Sequence, residues 1–289
     1  MAAEHGPFEH VKDSTRWEIL PSLNLEFEMP RLVALEKESP FYGMHGSQGY
    51  GIYLTKFMVL ELVAAVVCVA IFIPFARRAR RSLYPPGPLH NFFEAILVFI
   101  RDDIARPSIG AHHADRYVPL LWTAFMFILI CNLLGMLPFS GSPTSAIGCT
   151  GALALATLWV GLASGMREMG VIGFFKSIVP HMDVPGFLKV VLVPMMFLIE
   201  VAGLIIRHVV LSVRLFANMF AGHTVLAVIL GFIVAREIVT SNLFYLVAPA
   251  SVLGVVALSL LELFVAFLQA YIFTFLSALF IGMAVHPHH

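Results

Sequence analysis

Arg207 and Arg214 sit seven residues apart inside an apolar stretch running from about Phe187 to Ala235. An arginine at the centre of a membrane helix costs about 2.5–3.5 kcal/mol on insertion scales and cannot shed its proton, so it must face a partner, a cavity or another subunit. Charges kept at that cost point to ion handling; the alternative is that both arginines snorkel to a membrane surface. At ~100° per residue, Glu200, Arg207, Arg214 and Asn218 fall within a narrow sector of one helical face, because they are spaced by 7, 7 and 4. Ala217 and Ala221 share that sector, and small residues let a neighbouring helix approach a charge that must meet an acid on another protein. His223 projects to the opposite side, roughly 13 Å beyond Arg214, so it is no local partner for it. On the next apolar stretch Ser259, Glu262, Ala266, Gln269 and Ser277 line one face. Glu262 is the sole carboxylate between Ile238 and His289, and a lone intramembrane acid is a proton-site candidate.

The elements that must position these residues are membrane helices. Hydrophobic residues make up 59% of 289, and only 12% carry a formal charge, about half the share usual in a soluble domain. Mean hydropathy is +0.88. With 18 Lys+Arg against 18 Asp+Glu, nothing suggests a nucleic-acid surface or a polyanionic substrate. Cys68, Cys131 and Cys149 lack metal-ligand spacing and read as small hydrophobes rather than a disulfide frame. No metal site and no cofactor are expected.

Residues 1–50, with Glu4, His5, Glu9, His10, Lys12 and Asp13 followed by Pro21, Pro30 and Pro40, read as a flexible, water-exposed tail, retained because no signal-peptide pattern precedes it. Residues 51–289 read as the membrane domain. Its first span, Ile52 to Ala76, ends in Arg77, Arg78, Arg80 and Arg81, which fixes that flank as cytoplasmic and the tail as extracytoplasmic. Pro88 to Arg106 reads as an amphipathic helix on the inner surface, with Phe92, Ile96, Phe99 and Ile100 on one side. His112, His113 and Asp115 have no second ligand pair and read as a solvated turn. Tyr117 to Met166 contains no Asp, Glu, Lys or Arg and is broken by Pro138, Gly141, Ser142, Pro143 and Gly148, giving two spans and a turn. Asn132 within the first of them reads as an interhelical hydrogen-bonding residue. Phe187 to Ala235 would be roughly 70 Å long as one helix, against a ~30 Å hydrocarbon core. Ile205 to Phe220 has neither Gly nor Pro to turn the chain, so one long, strongly tilted helix is expected, paired with a second over Asn242 to Val285. The expected fold is all-α and polytopic: five membrane-crossing helices and one interfacial helix, the last two forming a tilted hairpin at about 187–285.

Val213-Arg214-Leu215-Phe216-Ala217-Asn218-Met219, followed by Ala221-Gly222-His223, resembles the signature of subunit a of the F-type rotary ATP synthases. Asn132-Leu133-Leu134-Gly135-Met136-Leu137-Pro138 is similar to that family's NLLG-x-x-P element, and Glu262 seven residues before Gln269-Ala270-Tyr271-Ile272-Phe273 to its C-terminal helix. The resemblance runs from about Ile52 onward. It implies a proton-translocating stator subunit, not catalytic by itself, in which Arg214 rather than Arg207 is the essential arginine. It further implies that His223 and Glu262 belong to one proton access route, Glu200 to the opposite route, and that Asn218 and Gln269 support the site. The implied partners are the c-ring subunits, the peripheral-stalk b subunits, the rest of the ATP synthase and the lipid bilayer. The implied setting is a bacterial inner membrane, with the mitochondrial inner membrane as the other choice. His208 and Val210 depart from the Pro and Ser common in the family. Another ion-coupled transporter is the alternative function, but it predicts internal repeats with matching breaks in two halves, which this sequence lacks. An intramembrane enzyme would need clustered acids or a nucleophile and base, and a structural scaffold would not need Arg214, His223 and Glu262 at mid-membrane. No Walker-type phosphate loop is present.

Overall fold

The structure, a computed structural model, describes residues 16–20, 25–28, 31–34, 51–53, 55–79, 87–136, 142–178, 186–234 and 241–285. Residues 16–53 include short strands that the sequence did not announce. Two antiparallel pairs are present: β1 (Arg16–Leu20) with β2 (Leu25–Glu28), and β3 (Arg31–Ala34) with β4 (Gly51–Tyr53). The strands are three to five residues long, too short for hydrophobic periodicity to announce them.

Beyond them the chain is helical: α1 (Lys56–Ala79), α2 (Pro88–Phe99), α3 (Arg106–Ile109), α4 (Ala114–Gly135), α5 (Ile147–Ser177), α6 (Gly186–Val234) and α7 (Ser241–Val285). Five of these are long and apolar enough to cross a membrane: α1, α4, α5, α6 and α7. The fold is that of a multi-pass, all-α membrane protein with short strands ahead of its first span. Its outward side chains show why. Leu62, Leu155, Trp159, Leu198 and Leu253 are all at least 65% exposed, an arrangement that water would penalise and hydrocarbon does not. In α1, Phe57, Leu60, Ala64 and Cys68 make a narrow buried stripe at helical spacing, while Leu62, Val66, Val69 and Ile73 point outward. The helix starts at Thr55, whose hydroxyl accepts the Met58 N–H at 3.4 Å.

The interfacial segment differs from its expected form. The α-helix stops at Phe99 and a π-helical turn, Ile100–Ala105, leads into α3. Helix α2 buries no residue, and Leu89 and Phe92 are largely exposed, as suits a helix seated in the headgroup boundary. The π turn instead buries Ile100, Ile104 and Ala105 completely. Its opposite side carries charge: Asp102 accepts from Arg101 at 3.0 Å and pairs with Arg106 at 2.8 Å, and Arg106 reaches Asp115 at 3.6 Å. The hydrogen bond from Arg101 holds the Asp102 carboxyl below its usual range. The contribution of this pairing is therefore present above the ordinary carboxylate range and is lost as pH falls through the lowered value. His113 is not merely solvated, since it lies 4.0 Å from Glu168, which also pairs with Arg116 at 3.7 Å. Helix α5 runs past the expected end of its span at Met166 and breaks at Gly170, whose φ of 74° belongs to the region that glycine tolerates.

The chain divides into two compact units. The first comprises 1–69, 130–146 and 218–266, and the second 70–129, 147–217 and 267–289. In each, α6 and α7 are antiparallel neighbours. In the first unit the Gly222 backbone faces Glu262 and Ile229 faces Gly254; in the second, Arg207 reaches Met283 and His208 packs on Phe280. The 49 residues of α6 span about 74 Å at ~1.5 Å each, so this helix stays within a ~30 Å core only by running obliquely.

Candidate functional site

Helix α6 is continuous through the sequence that could have folded back, which keeps Glu200, Arg207, Arg214 and Asn218 on the face their spacing requires. The inner stripe of its second-unit portion is His208, Leu211, Ser212 and Leu215, all buried. The two arginines part company here. Arg207 is engaged: its Nη2 donates to Glu200 Oε1 at 3.4 Å and its Nη1 lies 3.9 Å from Met283 Sδ. Arg214 is exposed and makes no ion pair among the described residues. Sequence spacing could not separate them, because residues seven apart point the same way.

Helix α7 supplies the opposing polar face. In the second unit Gln269, Thr274 and Ser277 are buried; Thr274 donates to the Ala270 carbonyl at 2.8 Å and Ser277 to the Phe273 carbonyl at 2.7 Å. Bonding back to the preceding turn satisfies the hydroxyl inside an apolar helix. In the first unit Glu262 and Ala266 of α7 are buried. A Cβ on Gly222 would lie 2.9 Å from Glu262 Oε1, so the glycine makes room for the carboxyl group. Sequence reading missed this role; the small pair Ala221-Gly222 was its only signal. Asn218 is exposed, and the side chain of His223 lies outside the described residues.

Asn132 anchors α4 beside this face. Its Nδ2 donates to the Ala266 carbonyl at 3.4 Å, and its Oδ1 accepts from Thr144 at 2.7 Å. Thr144 and Ser142 share a 2.6 Å hydrogen bond, and Ser145 donates to the Ser142 carbonyl at 2.6 Å. Gly135 is required where this turn folds back, since a Cβ there would sit 2.8 Å from Ser142 Cα. The interhelical role expected of Asn132 is therefore present, with the α4–α5 turn as an added partner. No cluster of three or more His, Cys, Asp or Glu among the described residues could hold a metal ion.

Residues 58–282 match the family model described as ATP synthase A chain. The chain belongs to that family. Its relatives include ATP synthase subunit a of Chloroherpeton thalassium, 39% identical over 83% of this chain and 69% of the relative. Subunit a of Myxococcus xanthus is 40% identical over 82% and 74%. A second subunit a of Chlorobium luteolum is 37% identical over 96% and 76%. The family match begins two residues into α1 and ends three residues before the end of α7, so it covers both polar faces and leaves the β hairpins outside.

Of the residues assigned by resemblance, the structure joins Glu200 to Arg207 and buries Glu262 and Gln269 on α7. It leaves Arg214 and Asn218 facing outward on α6.

Proposed function

We propose that this chain is the proton-translocating stator subunit of a rotary ATP synthase, with Arg214 separating two offset half-channels that lead to a ring of c subunits. The supporting observation is the outward Arg214 guanidinium, which has no ion pair among the described residues. In a bilayer such a charge needs an anion, and a partner presenting carboxylates supplies one. A ring carboxylate passing Arg214 stays ionised beside the permanent cation. Once protonated it is neutral and can move on into the lipid face of the ring. With one aqueous route from each side of the membrane, protons must ride the ring around. One charge crossing 100 mV releases ~2.3 kcal/mol, so several protons are needed per ATP.

Glu262 and His223 are assigned to one access route, because each can hold and release a proton, and Glu200 to the other. Gln269 and Asn218 position the groups near Arg214. The peripheral-stalk b subunits and the rest of the complex complete the assembly, and nucleotide chemistry takes place elsewhere in it. The arginines at the end of α1 support a cytoplasmic position for that flank, in a bacterial cell with the complex in the inner membrane.

Cross-linking tests the partner directly. Ala217 is exposed on the Arg214 side of α6, and Cys68 and Cys131 are buried. Ala217→Cys is expected to form disulfides with cysteines introduced near the ring carboxylate of the c subunit, in membranes containing the full complex. Absence of any a–c adduct across a scan of two helical turns would overturn the proposed facing. A second expectation concerns Gly222→Ala. The added methyl crowds the Glu262 carboxyl, so the complex should assemble while ATP-driven pumping slows severalfold. Gly161→Ala, where a Cβ meets nothing within 4 Å, should pump at the parental rate.

A further inference from the structure

No step above uses His208, yet it is the buried titratable ring on the inner stripe of α6, only 4% exposed. Its Nδ1 lies 2.9 Å from the Leu204 carbonyl, and a carbonyl can only accept, so Nδ1 carries a hydrogen. The other ring nitrogen, Nε2, is buried and has no hydrogen-bond partner. In the neutral ring it is therefore a bare lone pair aimed into the packed interior. Phe280 of α7 holds the ring in place, with centroids 4.7 Å apart.

One turn further along the same face Ser212 is also buried, and its Oγ donates to Thr150 Oγ1 of α5 at 3.2 Å. Thr150 in turn donates to the Ile147 carbonyl at 3.3 Å. Both hydroxyl hydrogens run away from His208, which leaves the Ser212 oxygen able to accept. Ser212 thereby offers a hydroxyl oxygen one turn from the ring, on its Arg214 side. Along α6 the ring lies roughly 12 Å from the Glu200 level and about 9 Å from that of Arg214.

We propose that His208 is a further proton-carrying residue of this chain, its Nε2 taking up and releasing a proton between the Glu200–Arg207 pair and the Arg214 end of α6. The inference rests on the proton-path reading above. The charged groups around the ring are Arg207, Glu200 and Arg214 on α6 itself. The stretches of α5 from Ile147 to Met166 and of α7 from Leu263 to Val285 contain no Asp, Glu, Lys, Arg or second His; Cys149 and Tyr271 are their only titratable side chains.

The test uses the complete complex reconstituted in liposomes, with passive proton conduction through the membrane sector followed by a pH-sensitive dye from pH 5.5 to 8.5. His208→Gln keeps a hydrogen-bonding side chain but cannot titrate, and His208→Phe keeps an aromatic ring against Phe280. Both variants are expected to conduct severalfold more slowly and to lose an inflection in the pH profile that the parent shows. Parental rate and profile in His208→Gln would overturn the inference, and so would a slower rate with the inflection kept, which marks a packing role. If His208→Phe does not assemble, His208→Gln decides alone. Arg214→Ala is measured alongside. If it pumps protons on ATP addition like the parent, the proton-path reading itself falls, whereas if it fails to pump while His208→Gln conducts as the parent, only His208 is removed.

Discussion

Arg214→Ala is expected to abolish ATP-driven proton pumping and proton-driven synthesis while the complex still assembles. The guanidinium points outward from α6 and makes no ion pair among the described residues, so removing it leaves no acid of this chain stranded without its partner there. Assembly therefore loses little. Translocation loses the fixed cation that a passing carboxylate requires, and removing one preorganised electrostatic partner of this kind slows a reaction by roughly a hundredfold or more. Arg207→Ala should behave in the opposite way. Arg207 is already paired with Glu200 of its own helix at 3.4 Å and so offers no unpaired cation to a passing carboxylate, and pumping should stay within a few-fold of the parent. Inverted membrane vesicles carrying each variant, assayed by quenching of a pH-sensitive dye on ATP addition, separate the two. Normal acidification by Arg214→Ala would remove the arginine from the mechanism.

The two arginines also show what the sequence could and could not supply. Helical period placed both on one face, and α6 keeps them there, because sixteen residues without Gly or Pro left the chain no means of turning. Which arginine is already paired depends on a carboxylate two turns away and on a methionine contributed by another helix, and such a contact leaves no periodic trace. The buried face of α7 was legible because small and polar residues in an apolar helix stand out. The position of His208 against Phe280 was not, since a lone histidine reads alike on any face. The β pairs were missed for a different reason: segments of three to five residues among prolines carry too little alternation to be told from loop. The π turn at Ile100–Ala105 was hidden as well, because a one-residue widening of a helix disturbs the apolar pattern by less than the pattern's own scatter.

Gly282 is a tight packing position on α7. A Cβ built on Gly282 overlaps the Ser108 carbonyl oxygen, lies 2.9 Å from the Ser108 carbonyl carbon and 3.3 Å from Ile109 Cα. These are backbone atoms, which cannot swing aside as a side chain would. They belong to α3, which follows directly on the buried Ile104 and Ala105 of the π turn. Gly282→Val must therefore push α7 away from α3, at a cost on the order of 3 kcal/mol for forcing side-chain volume into a closed contact. The same displacement would move Phe280 and Met283, which touch His208 and Arg207. The expected result is a large fall in assembled complex recovered from membranes, and a lower thermal midpoint for whatever assembles. Gly161→Val, facing open space on α5, should leave both near the parental values, because lipid accommodates the added methyl groups. Recovery of the Gly282→Val complex at the parental level and midpoint would mean that α3 and α7 do not meet at this glycine.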